Sequence, residues 1–329
     1  MKDDLETKYY LDDPESLESE PEYEPPRRRK HGFLRFLLTL VVIIALLAAA
    51  VLVFAKQPKT ELPAERRPLV STVLIAGTDE GGLRTDTMML LTVDAKAGVL
   101  RMTSIPRDTL THGTWNVPKL NSAYGVYGGG AEGMEGVIKH LTDIIGFRPD
   151  GYAVVELEGF IEAVDLMGGV EFNVPQDMYY YDPTQDLLID LKAGPQRLGG
   201  REAMGLVRFR SGYAMADITR VGVQRDFISA ALSQWLKVKN VSKLPALRSL
   251  IKEKVVTDLD TRELLWLALA LARCGTDDAE SATIPGSGAM IGGASYYVAD
   301  EEGTLAILNS GVSPFRRPMT SADLNINKG

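Results

Sequence analysis

The sequence predicts an α/β fold of the α-β-α type, a mixed central sheet flanked by helices, behind a single N-terminal transmembrane helix. Three observations carry this expectation. From residue 70 onward, short β-branched and apolar runs alternate with segments of helical apolar periodicity. Residues 36–55 are twenty consecutive positions without a charge. The 329 residues are 45% hydrophobic and 24% charged, a composition that supports a real core.

Residues 1–32 read as a disordered cytoplasmic tail, because the first 26 hold ten acids against two lysines and few apolar side chains. Residues 33–55 read as the transmembrane helix. At about 1.5 Å per residue, its uncharged stretch spans roughly the 30 Å thickness of a bilayer's hydrocarbon. Arg27, Arg28, Arg29, Lys30 and Arg35 precede that stretch. The positive-inside rule then keeps the N-terminus in the cytoplasm and places the rest outside a cell membrane crossed once. A cleavable signal peptide is the alternative; Ala55-Lys56-Gln57-Pro58 lacks its small-x-small site. Residues 56–69 read as a polar linker, and residues 70–329 as one extracytoplasmic domain.

Inside that domain, residues 71–76 form a buried strand by composition. Residues 87–94 and 99–105 flank Ala95-Lys96-Ala97-Gly98 and predict a hairpin. Residues 132–145 predict a helix closed by Gly146. Residues 152–157 predict a strand and 160–167 a short helix ending at Gly168-Gly169. Residues 170–174 form a strand stopped by Pro175, and 187–191 are a further candidate. Helices follow at 201–207, 218–237, 244–255 and 261–273, then strands at 282–284 and 296–298 and a helix at 301–308.

A single cysteine, Cys274, excludes a disulfide framework, and three histidines with one cysteine argue against a zinc site. His140 falls in an apolar-periodic helix and reads as a packing residue. A net charge of −8 argues against nucleic acid as a partner. No Gly-Lys-Ser/Thr phosphate loop and no Gly-x-Ser-x-Gly elbow occurs.

Four polar clusters remain. Arg208 and Arg210 leave one face of an extended segment, and Asp217, Arg220 and Gln224 share one face of a helix. Three converging arginines suit a pyrophosphate, since each guanidinium offers a planar fork of donors. A solvated, salt-bridged helix start is the other reading. Asp79 and Asp86 lie seven apart at a strand end and the loop after it, with Arg84 between. They could share one Mg²⁺, or Asp79 could simply form a turn. Arg107 and Asp108 follow Pro106, which ends a strand. Lys119-Leu120-Asn121-Ser122-Ala123-Tyr124 precedes a glycine triplet at 128–130.

Together, in order and spacing, several strings resemble the LytR-CpsA-Psr family of bacterial cell-envelope proteins. They are Gly77-Thr78-Asp79, Arg84-Thr85-Asp86-Thr87-Met88, Ser104-Ile105-Pro106-Arg107-Asp108, Lys119 to Tyr124, and Val164-Asp165-Leu166-Met167-Gly168-Gly169-Val170. Leu198-Gly199-Gly200-Arg201-Glu202-Ala203, Arg208-Phe209-Arg210 and Asp217, Arg220 and Gln224 complete the set. The agreement covers residues 70–235, with Ile284-Pro285-Gly286 and Tyr296-Tyr297-Val298 resembling the domain's end.

The resemblance implies a phosphotransferase that moves a teichoic acid or capsular polysaccharide from a polyprenyl-pyrophosphate carrier to peptidoglycan, forming a phosphodiester. It implies Mg²⁺ on Asp79 and Asp86, and Arg84, Arg107, Arg208, Arg210 and Arg220 around the pyrophosphate. Asp217 and Gln224 would orient those arginines, and Lys119 would lie near the head group. The polyprenyl tail would enter an apolar tunnel between sheet and helices. Asp86 and Asp108 are both candidates for the general base. One departure is Val223, where many members carry arginine before the glutamine. Arg225, two positions on, points elsewhere on a helix. A lipid-phosphate-binding or regulatory protein, and a polyprenyl-pyrophosphate phosphatase, are the competing readings.

Overall fold

A computed structural model describes residues 41–43, 46, 49, 51, 53–78, 81–183, 187–209, 216–235, 237–275 and 279–329. The expected tail and most of the expected transmembrane helix lie outside these. Among the described residues no helix is long and apolar enough to cross a membrane.

The centre is a mixed sheet of β1 (Val70–Thr78), β2 (Thr85–Asp94), β3 (Val99–Ser104), β4 (Gly151–Val155), β9 (Val255–Thr257) and β10 (Glu280–Thr283). Its order is β10-β3-β2-β1-β4-β9. β1 runs antiparallel to β2 and parallel to β4, and β10 runs parallel to β3. The predicted hairpin is β2–β3, paired from Met89↔Ser104 to Asp94↔Val99.

Both faces of this sheet are covered, which is why β1 and β2 read as continuous apolar runs rather than alternating ones. Leu74, Ala76, Met88, Leu90, Tyr152 and Val154 pack on one side against Met134, Val137, Ile138 and Leu141 of the helix Gly130–Ile145. Val73, Met89 and Leu91 pack on the other against Leu267 and Ala270 of the helix Thr261–Cys274. Each such buried side chain contributes roughly 1.5–3 kcal/mol. The first helix ends as predicted, with Gly146 left-handed at φ 74°.

In chain order the helices are α1 (Leu120–Val126), α2 (Gly130–Ile145), α3 (Leu157–Met167), α4 (Gly200–Arg208), α5 (Ala216–Trp235), α6 (Leu244–Lys254), α7 (Thr261–Cys274) and α8 (Glu301–Ile307). A second apolar core joins α3, α4 and α5 to two small hairpins, β5 (Val170–Val174) with β8 (Gly194–Leu198), and β6 (Met178–Asp182) with β7 (Leu187–Leu191). β11 (Gly286–Ile291) pairs with β12 (Ala294–Ala299).

Three expectations shift. Residues 152–157 divide, because the chain leaves the sheet after Val155 and Leu157 opens α3. Residues 244–255 also divide, with Val255 passing from α6 to the edge strand β9. Residues 56–69, expected to be a linker, are hydrogen-bonded to the domain. Gln57 Nε2 donates to Val70 O at 3.0 Å, and Arg66 ion-pairs with Asp150 at 2.6 Å.

Candidate active site

β1 and β4 both deliver their C-terminal ends to one cavity of about 860 Å³. Its polar lining includes Thr78, Arg84, Asp86, Arg107, Arg208 and Gln224. Most of the remaining lining is apolar, with Ile75, Leu91, Phe160, Ile189, Phe227 and Trp235 among its members.

Local structure explains how Asp86 reaches the cavity. Gly77 pairs with Thr87 and Thr78 with Thr85, so the register slips and Asp86 is the extra residue of a β-bulge. Strict alternation would turn Asp86 and Thr87 to opposite faces. A bulge re-aims side chains, and here both neighbours line the cavity.

Arg107 sits in the turn after β3. Its Nη1 ion-pairs with Asp86 Oδ1, and its Nε lies 3.7 Å from Asp108 Oδ2. Lys119 Nζ follows at 3.0 Å from Asp108 Oδ1 and lies 5.8 Å from the centre of the Tyr296 ring. The four side chains form a line of alternating charge. Asp86 and Arg107 border the cavity, whereas Asp108 and Lys119 are not among its lining residues. The start of α1 holds this loop: Leu120 N donates to Thr109 O at 2.9 Å and Asn121 N to Arg107 O at 3.0 Å.

Arg208 is the last residue of α4. Gln224, on α5 and 7% exposed, donates from Nε2 to Val207 O at 2.8 Å. It satisfies a carbonyl that the end of α4 would otherwise leave without a helical partner. This bond ties Gln224 to the backbone next to Arg208. Val223, the departure from the family pattern, is 8% exposed and packs in the second core with Phe227. Arg225 instead meets Asp226 at 3.3 Å.

Asp79 and Arg210 lie outside the described residues. Asp217 and Arg220 lie on α5, and their side chains are outside the described residues too. Gln224 shares their helix face and lines the cavity. His140 is a packing residue as expected: it is 5% exposed, its ring centre is 5.1 Å from that of Trp115, and burial lowers its pKa.

Mg²⁺ prefers oxygen donors and is commonly held by one or two carboxylates plus substrate phosphates. Asp86 in the cavity wall fits that requirement. Among the described residues no group of three or more His, Cys, Asp or Glu gathers as a dedicated metal cage.

The family resemblance implied an apolar tunnel, but sequence reasoning named none of the residues that line the apolar part of the cavity. Phe227, Ala231 and Trp235 repeat at helical spacing on α5, a pattern indistinguishable in sequence from a face buried in a core.

Residues 54–311 match the model of the LytR_cpsA_psr family. The regulatory protein MsrR of Staphylococcus aureus (strain COL) is 30% identical over 224 residues, covering 65% of this chain and 64% of MsrR. The chain thus spans somewhat under two thirds of the length of the MsrR proteins it matches. The polyisoprenyl-teichoic acid–peptidoglycan teichoic acid transferase TagU of Halalkalibacterium halodurans is 29% identical over 241 residues, 70% of this chain and 74% of TagU. The crystal structure of Bacillus subtilis TagV superposes with a TM-score of 0.62 at 22% identity, over 74% of this chain and 96% of TagV. The chain belongs to the LytR_cpsA_psr family.

Proposed function

We propose that the chain is a Mg²⁺-dependent phosphotransferase of the cell envelope. It takes an anionic glycopolymer, a teichoic acid or capsular polysaccharide, from a polyprenyl-pyrophosphate carrier and joins it to peptidoglycan through a phosphodiester. The observation that carries this reading is one cavity whose lining joins Arg84, Asp86, Arg107 and Arg208 to a larger set of apolar side chains. An anionic head on an apolar tail is the ligand such a cavity fits. The family membership and the transferase name of TagU support it.

In this mechanism the arginines hold the pyrophosphate and spread its charge, because phosphoryl transfer needs positioning and electrostatic stabilisation above all. A peptidoglycan hydroxyl oxygen attacks the sugar-bearing phosphorus. A new P–O bond forms, the bridging P–O bond breaks, and polyprenyl phosphate leaves. Asp86 and Asp108 flank Arg107 and are the two candidates to accept the hydroxyl proton. Asp86, with Asp79, would hold Mg²⁺, which when bound neutralises charge on phosphate oxygens. Residues 33–55 as a retained anchor would keep the site beside a lipid-borne donor and raise its effective concentration.

The test is a transfer assay on the full chain in detergent, with a polyprenyl-pyrophosphate-linked disaccharide, peptidoglycan fragments, and Mg²⁺ present or chelated. The expected result is a Mg²⁺-dependent phosphodiester product that Asp86→Ala abolishes while lipid binding survives. Sugar phosphate released without acceptor would identify a phosphatase instead. Tight lipid binding with neither product would identify a binding protein, the sense in which MsrR's name as a regulatory protein would be read.

A further inference from the structure

One face of α5 runs along the cavity. Gln224, Phe227, Ala231 and Trp235 all line the cavity from one face of α5. Eleven residues separate the first from the last, about 16 Å along the helix axis. This face grades from the amide beside Arg208 to the indole of Trp235. Trp235 also lines a second pocket, of about 280 Å³, bordered by Gly168, Arg197, Gln234, Asn240 and Lys243. Trp235 therefore borders both the apolar cavity and a polar pocket.

The polar pocket is built differently. Lys243 Nζ donates to Met167 O at 2.8 Å, Arg197 Nη1 to Gly168 O at 2.9 Å, and Asn240 Nδ2 to Trp235 O at 3.2 Å. An apolar chain that passed the indole would meet these groups and disturb bonds already made, at a desolvation cost. The wall is thus apolar on the cavity side and backed by polar groups on the other.

We propose that Trp235 is the end stop of the lipid cavity and sets the number of isoprene units the protein can bury. This rests on the lipid-carrier reading of the cavity given above. Each isoprene that fits removes apolar surface from water and tightens binding, and each one beyond the stop stays outside and adds nothing. Affinity should therefore rise with chain length and then level off. Removing the indole vacates apolar space at this end of the cavity, so the plateau moves to longer chains.

The experiment uses the full chain in detergent and a graded series of polyprenyl pyrophosphates, from farnesyl length upward one isoprene at a time, in competition with a fluorescent polyprenyl probe. Wild type should show a plateau. Trp235→Ala should move it to longer chains, and Trp235→Leu serves if the alanine variant fails to fold. Ala231→Phe, one turn nearer the head-group end, should move it to shorter chains. Plateaus at the same length in all folded variants would overturn the end stop and leave the lipid-carrier reading standing. Binding that is absent at every length in wild type would overturn the lipid-carrier reading itself.

Discussion

Replacing Arg66 by Met should cost this fold more than most surface changes could, although residue 66 belongs to a segment without regular structure. The Asp150 carboxylate that Arg66 meets is fully buried, with a side-chain exposure of 0% against 18% for Arg66. Oδ1 accepts from Arg66 Nη1 and Thr60 N, each at 2.6 Å, and Oδ2 from Arg66 Nη2 at 2.7 Å and Thr72 N at 2.9 Å. Arg66 also donates to Thr60 O and Val70 O, each at 3.0 Å. The guanidinium thus ties three parts of the chain together: residues 56–69, the start of β1 and the start of β4.

Methionine keeps the stem and removes every one of these donations. Removing one partner of a buried ion pair costs roughly 3–5 kcal/mol, because the other charge stays buried. The backbone and hydroxyl of Thr72 still serve Asp150, so the lower part of that range is expected. In a domain of this size, that corresponds to a fall in Tm of roughly 6–10 °C. Thermal unfolding of the full chain in detergent, followed by intrinsic fluorescence, measures it. Adding Asp150→Leu should recover part of the loss, since no charge is then stranded. A loss below about 1 kcal/mol for Arg66→Met, the range of exposed pairs, would refute the reasoning. It would return residues 56–69 to the role of a tether.

Two further outcomes follow from other parts of the molecule. A Cβ at Gly125 would lie 2.5 Å from Leu83 O, in the loop that leads to Arg84. Gly125→Ala should destabilise by about 1–3 kcal/mol, as overpacking does, and should lower transfer further by moving Arg84; transfer at wild-type rate would sink the link between α1 and that loop. His140 is held neutral by burial, its pKa lowered from 6.5. The unfolded chain therefore takes up this proton first, and stability contributed by the neutral ring is lost as pH falls below 6.5. His140→Phe should flatten the fall in Tm between neutral and mildly acid pH, and an unchanged slope would assign that fall to other groups.

Much of the central domain was legible in the sequence for a common reason: local pattern and burial agree there. The β2–β3 hairpin, α2 with its glycine terminator, β5 and β7 all carry their periodicity and punctuation within a few residues. The motif positions were legible too, and Arg84, Asp86, Arg107, Arg208 and Gln224 do border one cavity. Other elements carry no such local signal. β6 is Met-Tyr-Tyr-Tyr-Asp, without alternation. β11 is Gly-Ser-Gly-Ala-Met-Ile, poor in strand formers and ordered by pairing with β12. α1 has seven residues and no side-chain cap, and it stands because its first N–H groups bind the loop after β3.

By itself, then, the sequence determined the α/β class, the run of elements through the central sheet, the family and the polar residues that the site would draw on. These depend on period, turn chemistry and residue type, which neighbours in sequence already encode. Only the tertiary structure decided how those residues are used. The bulge that turns Asp86 into the cavity is a property of the pairing between β1 and β2. The bond from Gln224 to the end of α4 joins residues 17 apart, and the pair that fixes residues 56–69 joins Arg66 to Asp150, 84 apart. Whether an apolar helix face meets packed side chains or an open cavity is set by the elements opposite it, and on α5 that face does both.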